Sequence, residues 1–481
     1  MSTLADAQSV PGSAPADGFL ERTFALTARG TTVGTEVRAG LTTFMVMAYI
    51  IVVNAVILTT GAQIAGQDLP FTAVVTATCL TAGLLTLAMG LWANFPLALA
   101  PGMGLNSVVA FQLIVGQKLP WQVAMGVIVL EGVIITILVL TGFREAVMTA
   151  LPHSLKMAIG GGIGLFLLAI GAYEGGLFRV PVEVGTTVQM PPPTAGALGN
   201  LVAPPTVLAI VGLLLTGWLL ARGVRGGLLI GILLTTVVGM VWHYATGAAV
   251  STQPGKAVLP ETWLSLPDFR TLGAGLNVEV FVRLGFLAAL LTILAIMLSD
   301  FFDTLGTVVA VGKEANLLDE RGRPPHLDRI LIVDSLGAAV GGAAGSSSNT
   351  CYIESAAGVA EGGRTGLTSV ATAVPFFLAM FLANILAVVP PEATAAALII
   401  VGFFMMAAVG REIPWASIEE GLPALLTLTV MPLTWSITNG IGAGIVLYVF
   451  LKAVNGKLRE LHPVMWLAAA AFVIYFAFWR A

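Results

Sequence analysis

The sequence predicts an all-α polytopic membrane protein, and three observations carry that prediction. Of 481 residues, 57% are hydrophobic and only 10% are charged, and the mean hydropathy is +0.94, far from the balance of soluble domains. Apolar runs of about 17–25 residues, the length that crosses ~30 Å of hydrocarbon, recur along the whole chain. Two of these runs are interrupted by Gly, Pro or Ser, and each carries one hydrogen-bonding side chain beside the break.

Residues 1–18 are polar and rich in Ala, Pro and Ser, without the basic flank and apolar core of a signal peptide. Residues 19–29 are amphipathic and are expected on the inner membrane surface, the alternative being a disordered lead-in. Fourteen spans follow, at roughly 40–60, 71–91, 97–115, 121–141, 154–172, 204–221, 226–247, 284–311, 327–343, 350–362, 367–389, 394–411, 420–437 and 438–455. A fifteenth apolar stretch, 463–479, either crosses or lies in the interface. The loops 173–203, with Pro191-Pro192-Pro193, and 248–283 read as surface excursions. Cys79 and Cys351 both fall inside spans and read as small packing residues.

The basic residues orient the spans. Sixteen of the 22 Lys and Arg fall on one side, five (Lys118, Arg179, Lys256, Arg270, Arg283) on the other, and Arg480 is unassigned. Positive charge gathers on the cytoplasmic side, so both ends of the fourteen-span unit are expected there. A multi-pass protein of a cell (inner) membrane, embedded in lipid, is the expected setting.

The interrupted runs are Asn94-Phe-Pro-Leu-Ala-Leu-Ala-Pro-Gly-Met-Gly-Leu-Asn106 and Gly345-Ser-Ser-Ser-Asn-Thr-Cys-Tyr-Ile-Glu354. Unpaired backbone is not tolerated in lipid, so such breaks persist only where they line a protein-walled cavity. A pair of them in corresponding positions points to the substrate site of a secondary transporter. Glu354 is placed at the first turn of a half-helix, 353–361, where free amides favour a polar ligand. Asn106 holds the matching place in the first half, and its amide both donates and accepts.

Ionisable groups inside spans are costly and are functional candidates by default. Asp300 and Asp303 lie three apart in Leu298-Ser-Asp-Phe-Phe-Asp-Thr-Leu-Gly-Thr307 and share one helix face. Two such carboxyls cannot both ionise easily, which suits proton coupling; the alternative for Asp300 is a brace to a neighbouring helix. Gly306 is expected at a close helix contact. Glu131, alone in its apolar span, reads as a satisfied structural carboxyl, and Asp334 as structural near the cytoplasmic end of its helix. Gly160-Gly-Gly-Ile-Gly164, Gly341-Gly-Ala-Ala-Gly345 and Gly362-Gly363 read as close helix packing rather than phosphate loops. His153, His243, His326 and His462 lack partners at metal spacing, so no metal site is expected.

The motifs then carry a resemblance. Thr31-Thr-Val-Gly-Thr-Glu-Val-Arg-Ala-Gly-Leu-Thr-Thr-Phe-Met-Val-Met-Ala-Tyr-Ile-Ile-Val-Val-Asn54, Ala100-Pro-Gly-Met-Gly-Leu-Asn106, Asp300-Phe-Phe-Asp-Thr-Leu-Gly-Thr307, Tyr352-Ile-Glu-Ser-Ala-Ala-Gly-Val359 and Glu361-Gly-Gly-Arg-Thr-Gly366 resemble the AzgA-like branch of the nucleobase–ascorbate transporters. That branch handles hypoxanthine, guanine and adenine. The resemblance covers roughly residues 20–470. It implies fourteen spans as two inverted repeats of seven in core and gate domains, with short strands in broken spans 3 and 10. Residues 39–248 and 284–455 would be the repeats, 1–38 a cytoplasmic segment, 249–283 an outer loop and 456–481 a C-terminal apolar segment. It also implies proton-driven purine uptake, with Asp303 and Glu354 on the acidic substrate positions and Asp300 and Asn106 on further polar ones. A homodimer is implied too, with no cofactor beyond the coupling proton and no nucleic-acid partner. Ser346-Ser-Ser-Asn349 departs from the family pattern, so Asn349 and Cys351 would alter pocket polarity.

A flat purine would present N–H donors to a carboxylate and rest on an aromatic wall, for which Phe44, Phe301 and Tyr352 are candidates. The rival cargo on the same fold is uracil or xanthine. An inorganic anion is disfavoured because no Lys or Arg sits within the broken spans. An enzyme would need a nucleophile–base pair or a metal beside the carboxylates, and neither is present. A channel would not need a broken helix in each half.

Overall fold

The computed structural model describes residues 18–141, 151–179, 197–253, 256–319, 323–409 and 412–478. The N-terminal residues 1–17, the Pro191-Pro192-Pro193 run and Arg480 lie outside the described residues. A short helix α1 (Phe19–Phe24) precedes a bent first span made of α2 (Val33–Met47) and α3 (Tyr49–Ile64). α4 (Phe71–Ala88) runs on as a π-helical turn to Ala93. The third span is composite: β1 (Leu99–Pro101), α5 (Met103–Ser107) and a π-helical stretch, Val108–Gly116. α6 (Trp121–Leu140), α7 (His153–Glu174), α8 (Pro204–Ala221) and α9 (Gly227–Thr246) follow, with a small pair, β2 (Phe178–Arg179) and β3 (Ala197–Leu198), between α7 and α8.

The second half holds α10 (Val280–Leu284), α11 (Phe286–Glu314), α12 (Leu327–Ala344), β4 (Asn349–Cys351), α13 (Ser355–Ala360), α14 (Gly366–Ala379) and α15 (Ala383–Leu386). It closes with α16 (Pro391–Val409), α17 (Ile418–Thr434), α18 (Ile437–Val454) and α19 (Pro463–Phe478). Each of the fourteen expected runs appears as a helix or a broken helix. Among the described residues, nine helices are long and apolar enough to span a membrane.

Packing partners come in matched pairs across the two halves. α4 packs on α14 as α12 packs on α6; α7 packs on α17 as α16 packs on α8; α8 pairs with α9 as α17 pairs with α18. These contacts divide the helices into one body of α2–α6 with α11–α14, and another of α7–α9 with α16–α18. α8 and α9 are only one-third buried, which leaves their outer faces to lipid. Gly161, Gly162 and Gly164 do the packing expected of them, whereas a Cβ on Gly160 would meet nothing within 4 Å. A Cβ on Gly132 would lie 2.3 Å from Ala339 N, and one on Gly164 would lie 2.8 Å from Gly402 O. Gly306 differs: nothing lies within 4 Å of it, so it faces open space rather than a helix contact.

α19, which holds the described part of the stretch 463–479, runs antiparallel along α18. Tyr475 reaches Asn439 near the start of α18 at 3.4 Å, Phe472 lies against Gly442, and Glu460 meets Lys452 at 2.9 Å near its far end. It therefore shares the depth of α18 rather than lying across it. In the loop 248–283, Asp268 accepts from Thr72 Oγ1 on α4 at 3.0 Å, and its amide donates to Thr76 Oγ1 at 2.9 Å. The Arg270 guanidinium holds the Asp268 carboxyl down at about 2. A carboxyl lowered in the folded state stabilises above its ordinary range, and that contribution is lost only as pH falls through about 2.

The first and eleventh spans are joined by Glu36, a fully buried carboxylate on α2. It accepts from the Arg364, Thr365 and Thr368 amides and from both Thr365 and Thr368 hydroxyls, at 2.6–3.2 Å. It thereby satisfies amides that α14 leaves without intrahelical partners at its N-terminus. Glu36→Ala orphans those buried donors, and unmet buried donors cost ~1–3 kcal/mol each. Thermal unfolding of the detergent-solubilised variant is expected to show one of the largest melting-temperature losses of any single substitution; an unchanged melting temperature would refute the assignment.

Candidate functional site

Two extended segments inside a membrane protein need partners for their backbone, and here each supplies the other. β1 and β4 pair antiparallel, with Leu99 opposite Cys351, Ala100 opposite Thr350 and Pro101 opposite Asn349. The ladder extends through Tyr352 N to Ala98 O and Gly102 N to Ser348 O, both 2.9 Å. Tyr352 staples the two spans, its hydroxyl donating to Pro101 O at 2.6 Å. Asp334 holds the strand from α12, accepting from Cys351 N at 3.0 Å and from Thr304 Oγ1 at 2.8 Å. Because the single Thr304 proton goes to Asp334, Thr350 donates to Thr304 across their 2.8 Å contact. Asp334 is thus the structural carboxyl the sequence suggested.

Both strands run directly into short helices, α5 and α13, and the space in front of them is a cavity of about 100 Å³. One helical body contributes Gly102 to Leu105, Ser299, Asp300, Asp303, Thr307 and Thr350 to Glu354; the other contributes Ile163, Val401 and Met405. The site therefore lies on the boundary between the two bodies. Three carboxyls line it, and among its described lining residues there is no Lys or Arg. Asp303 is exposed to this space. Glu354 is the residue just before α13, half-buried, and its Oε1 accepts from the fully buried Tyr49 hydroxyl at 2.6 Å. One carboxylate oxygen is pinned by that bond, which fixes the direction the group presents to a ligand. The ring of Tyr352 forms part of the wall.

Not every expected residue stands here. Asn106 is fully buried behind the break: its Nδ2 donates to Asn54 Oδ1 at 2.9 Å, and Asn54 Nδ2 in turn donates to Thr78 Oγ1 and Ser346 O. It braces the two broken spans instead of facing the cavity, because a polar partner on α3 lies closer than the open space. Phe44 is likewise not a wall residue; it packs edge-on against Phe376 with ring centroids 5.1 Å apart. Phe301 is buried outside the lining, and Cys351 is in the lining while Asn349 is not.

Asp300 and Asp303 both line the cavity, yet they are not one another's nearest carboxyl partner. The Asp300 side chain is turned back into the protein against Glu131, and neither Glu131 oxygen has a hydrogen-bond donor. Glu131 is therefore not the satisfied structural carboxyl its isolation in sequence suggested. Spacing could not find Tyr49, nor the partner of Glu131, since the partners lie on other spans.

A second, larger cavity of about 840 Å³ opens elsewhere on the boundary, lined by Gln117, Lys118, Arg283, Trp435 and Tyr475 among others. At the wall of this larger cavity the bodies are clasped. Gln112, nearly fully buried, accepts from Ile437 N and donates to Thr438 Oγ1, both at 2.8 Å. Trp435 gathers the rings of Phe111, Phe166 and Tyr173 at 5.9–6.2 Å.

Broken helices from each half, paired strands and a carboxyl-lined cavity between two helical bodies define a multi-pass membrane transporter. The chain belongs to the permease family, whose model matches residues 34–443. It is 37% identical to the guanine/hypoxanthine permease PbuG of Bacillus subtilis, covering 93% of this chain and 97% of that protein. It is 36% identical to the adenine permease AdeP of Escherichia coli, covering 96% of each. Among solved structures, the transmembrane domain of the cyanobacterial bicarbonate transporter BicA has the same fold, with a TM-score of 0.59 at 15% identity over 85% of this chain and 97% of that one. The chain is a transporter, not an enzyme.

Proposed function

We propose that this protein imports purine nucleobases (hypoxanthine, guanine or adenine) together with protons, by alternating access. The observation that carries the reading is the cavity wall: Asp303 and Glu354 on one side, aliphatic Ile163, Val401 and Met405 on the other, and no described cation. A carboxylate accepts the adjacent N–H donors of a purine edge, and the apolar wall receives the flat ring. The same wall repels an inorganic anion, so sharing a fold with a bicarbonate carrier does not extend to its cargo. The purine permeases named above, similar along nearly their full lengths, support the same substrate class.

Alternating access is supported by two cavities on one boundary and by the Gln112 and Trp435 clasp that ties the two bodies together. With the cytoplasmic N-terminus that the basic residues favour, the larger cavity is the outer vestibule and the clasp a closed outer gate. Asp303 is the cavity carboxyl through which the coupling proton exchanges, and Asp300 sets its environment. No further cofactor is needed.

The test is uptake of labelled hypoxanthine in a host lacking its own purine carriers. Unlabelled hypoxanthine, guanine or adenine should compete; uracil, xanthine and bicarbonate should not. Strong competition by uracil or xanthine with none by hypoxanthine would move the assignment to the rival cargo.

A further inference from the structure

A fully buried pair of carboxyl groups lies at the back of the cavity wall. Glu131, at the middle of α6, and Asp300, on α11, are both fully buried. Their carboxyl groups meet within hydrogen-bonding reach, and the Ser348 hydroxyl, also fully buried, faces Glu131. Among the described residues, no other donor reaches any of the four carboxyl oxygens, and the Ser348 hydroxyl has no other partner. The remaining charged neighbours are Asp334 and Asp303, both acidic.

The position is held by backbone rather than left to chance. Gly132, next to Glu131, lets α6 settle on Ala339 and Ser335 of α12, and Gly342 of α12 in turn lies against the Met125 and Val129 backbone of α6. α11 packs on the same helix. Glu131 therefore cannot swing away to water without α6 leaving α12.

Two carboxylates in contact, with no cation and no outside donor, have one low-energy arrangement. One carboxyl keeps a proton and donates it to the other, giving a short charge-assisted O–H···O bond in place of two unsolvated anions. Only one side of this pair borders the cavity: Asp300 is among its lining residues and Glu131 is not. A proton arriving through the cavity can pass to Asp300 and be shared with Glu131.

We propose that Glu131 and Asp300 together form a proton-binding site, with Glu131 as its hidden half, which holds one shared proton in this conformation. The proposal rests on the proton-coupled reading above and adds the place where the proton is kept. Release follows when the Asp300 side chain turns from Glu131 toward the cavity, and the pair separates or is hydrated. The step is a proton transfer between oxygens only, and nothing is oxidised or reduced.

Two measurements on the full chain test this. In purified wild-type protein at neutral pH, infrared spectroscopy should show the C=O stretch of a protonated carboxyl, and this band should disappear in both Glu131→Gln and Asp300→Asn. Absence of the band in wild type, or its survival in both folded variants, would overturn the proposal, and the wild-type result stands even if a variant does not fold. In liposomes with a lumenal pH dye, hypoxanthine should drive proton influx through wild type. Glu131→Gln should lose it while retaining hypoxanthine counterflow, because its amide donates to the Asp300 carboxylate and removes the need for a proton. Unchanged proton influx in Glu131→Gln would overturn the site. Base uptake by wild type with no proton influx would instead overturn the coupled reading on which it rests, and the two failures are separable.

Discussion

Glu354→Gln should bind hypoxanthine roughly tenfold to a hundredfold more weakly than wild type, while reaching the membrane and eluting as a folded species. The argument is local. Glu354 precedes the first turn of α13 at the cavity wall, and its carboxylate is already aligned by the Tyr49 hydroxyl at 2.6 Å. Replacing a charged acceptor with an amide keeps the volume but presents an N–H where an acceptor is needed, and hydrogen bonds to charged groups are worth ~1.5–3 kcal/mol. Tyr49→Phe leaves the carboxylate charged but unpinned, so its loss should be smaller and of the same kind. Equilibrium binding to the purified variants measures both. Wild-type affinity in Glu354→Gln would take this residue out of the site.

Asp303→Asn addresses coupling rather than binding. Asp303 is exposed to the cavity, where a transported proton has access to it. The amide imitates the protonated carboxyl permanently, so the variant should lose accumulation driven by a pH gradient. Counterflow exchange, which needs no net proton movement, should continue. Reconstituted protein assayed both ways makes the comparison directly. Gradient-driven uptake at the wild-type level would show that Asp303 is not the exchanging group.

The sequence carried the fold further than the site. Breaker residues in apolar runs located both interruptions, because unpaired backbone at membrane depth has few solutions. Their pairing places Ala100 opposite Thr350, a contact between residues far apart in the chain. Glu354 and Asp303 were legible because a carboxyl beside a break, or inside a span, is expensive unless used. For Asn106 the sequence leaves open a bracing role between the broken spans, and the structure shows that brace: its Nδ2 donates to Asn54 on another span, a partner spacing cannot supply. Asp300 and Asp303 share a face as their spacing requires, but face-sharing does not say which neighbour each carboxyl meets, and for Asp300 it is Glu131. Glu36 sits in a recognised motif, yet its partners lie around residues 364–368, so its role appears only once the spans are packed. The depth of the 463–479 stretch was likewise open until its contacts with α18 were seen.

The central claim is that a carboxyl-lined cavity reads the N–H edge of a purine. It is tested most directly by calorimetric titration of the purified protein with hypoxanthine, 1-methylhypoxanthine and uracil. Methylation replaces the donor at N1 and leaves a buried carboxylate unmet, a loss of ~1–3 kcal/mol or more. Hypoxanthine should bind, 1-methylhypoxanthine should bind far more weakly, and uracil should bind weakly because it fills only part of the space. Equal binding of hypoxanthine and its 1-methyl derivative, or tight binding of uracil alone, would contradict the account.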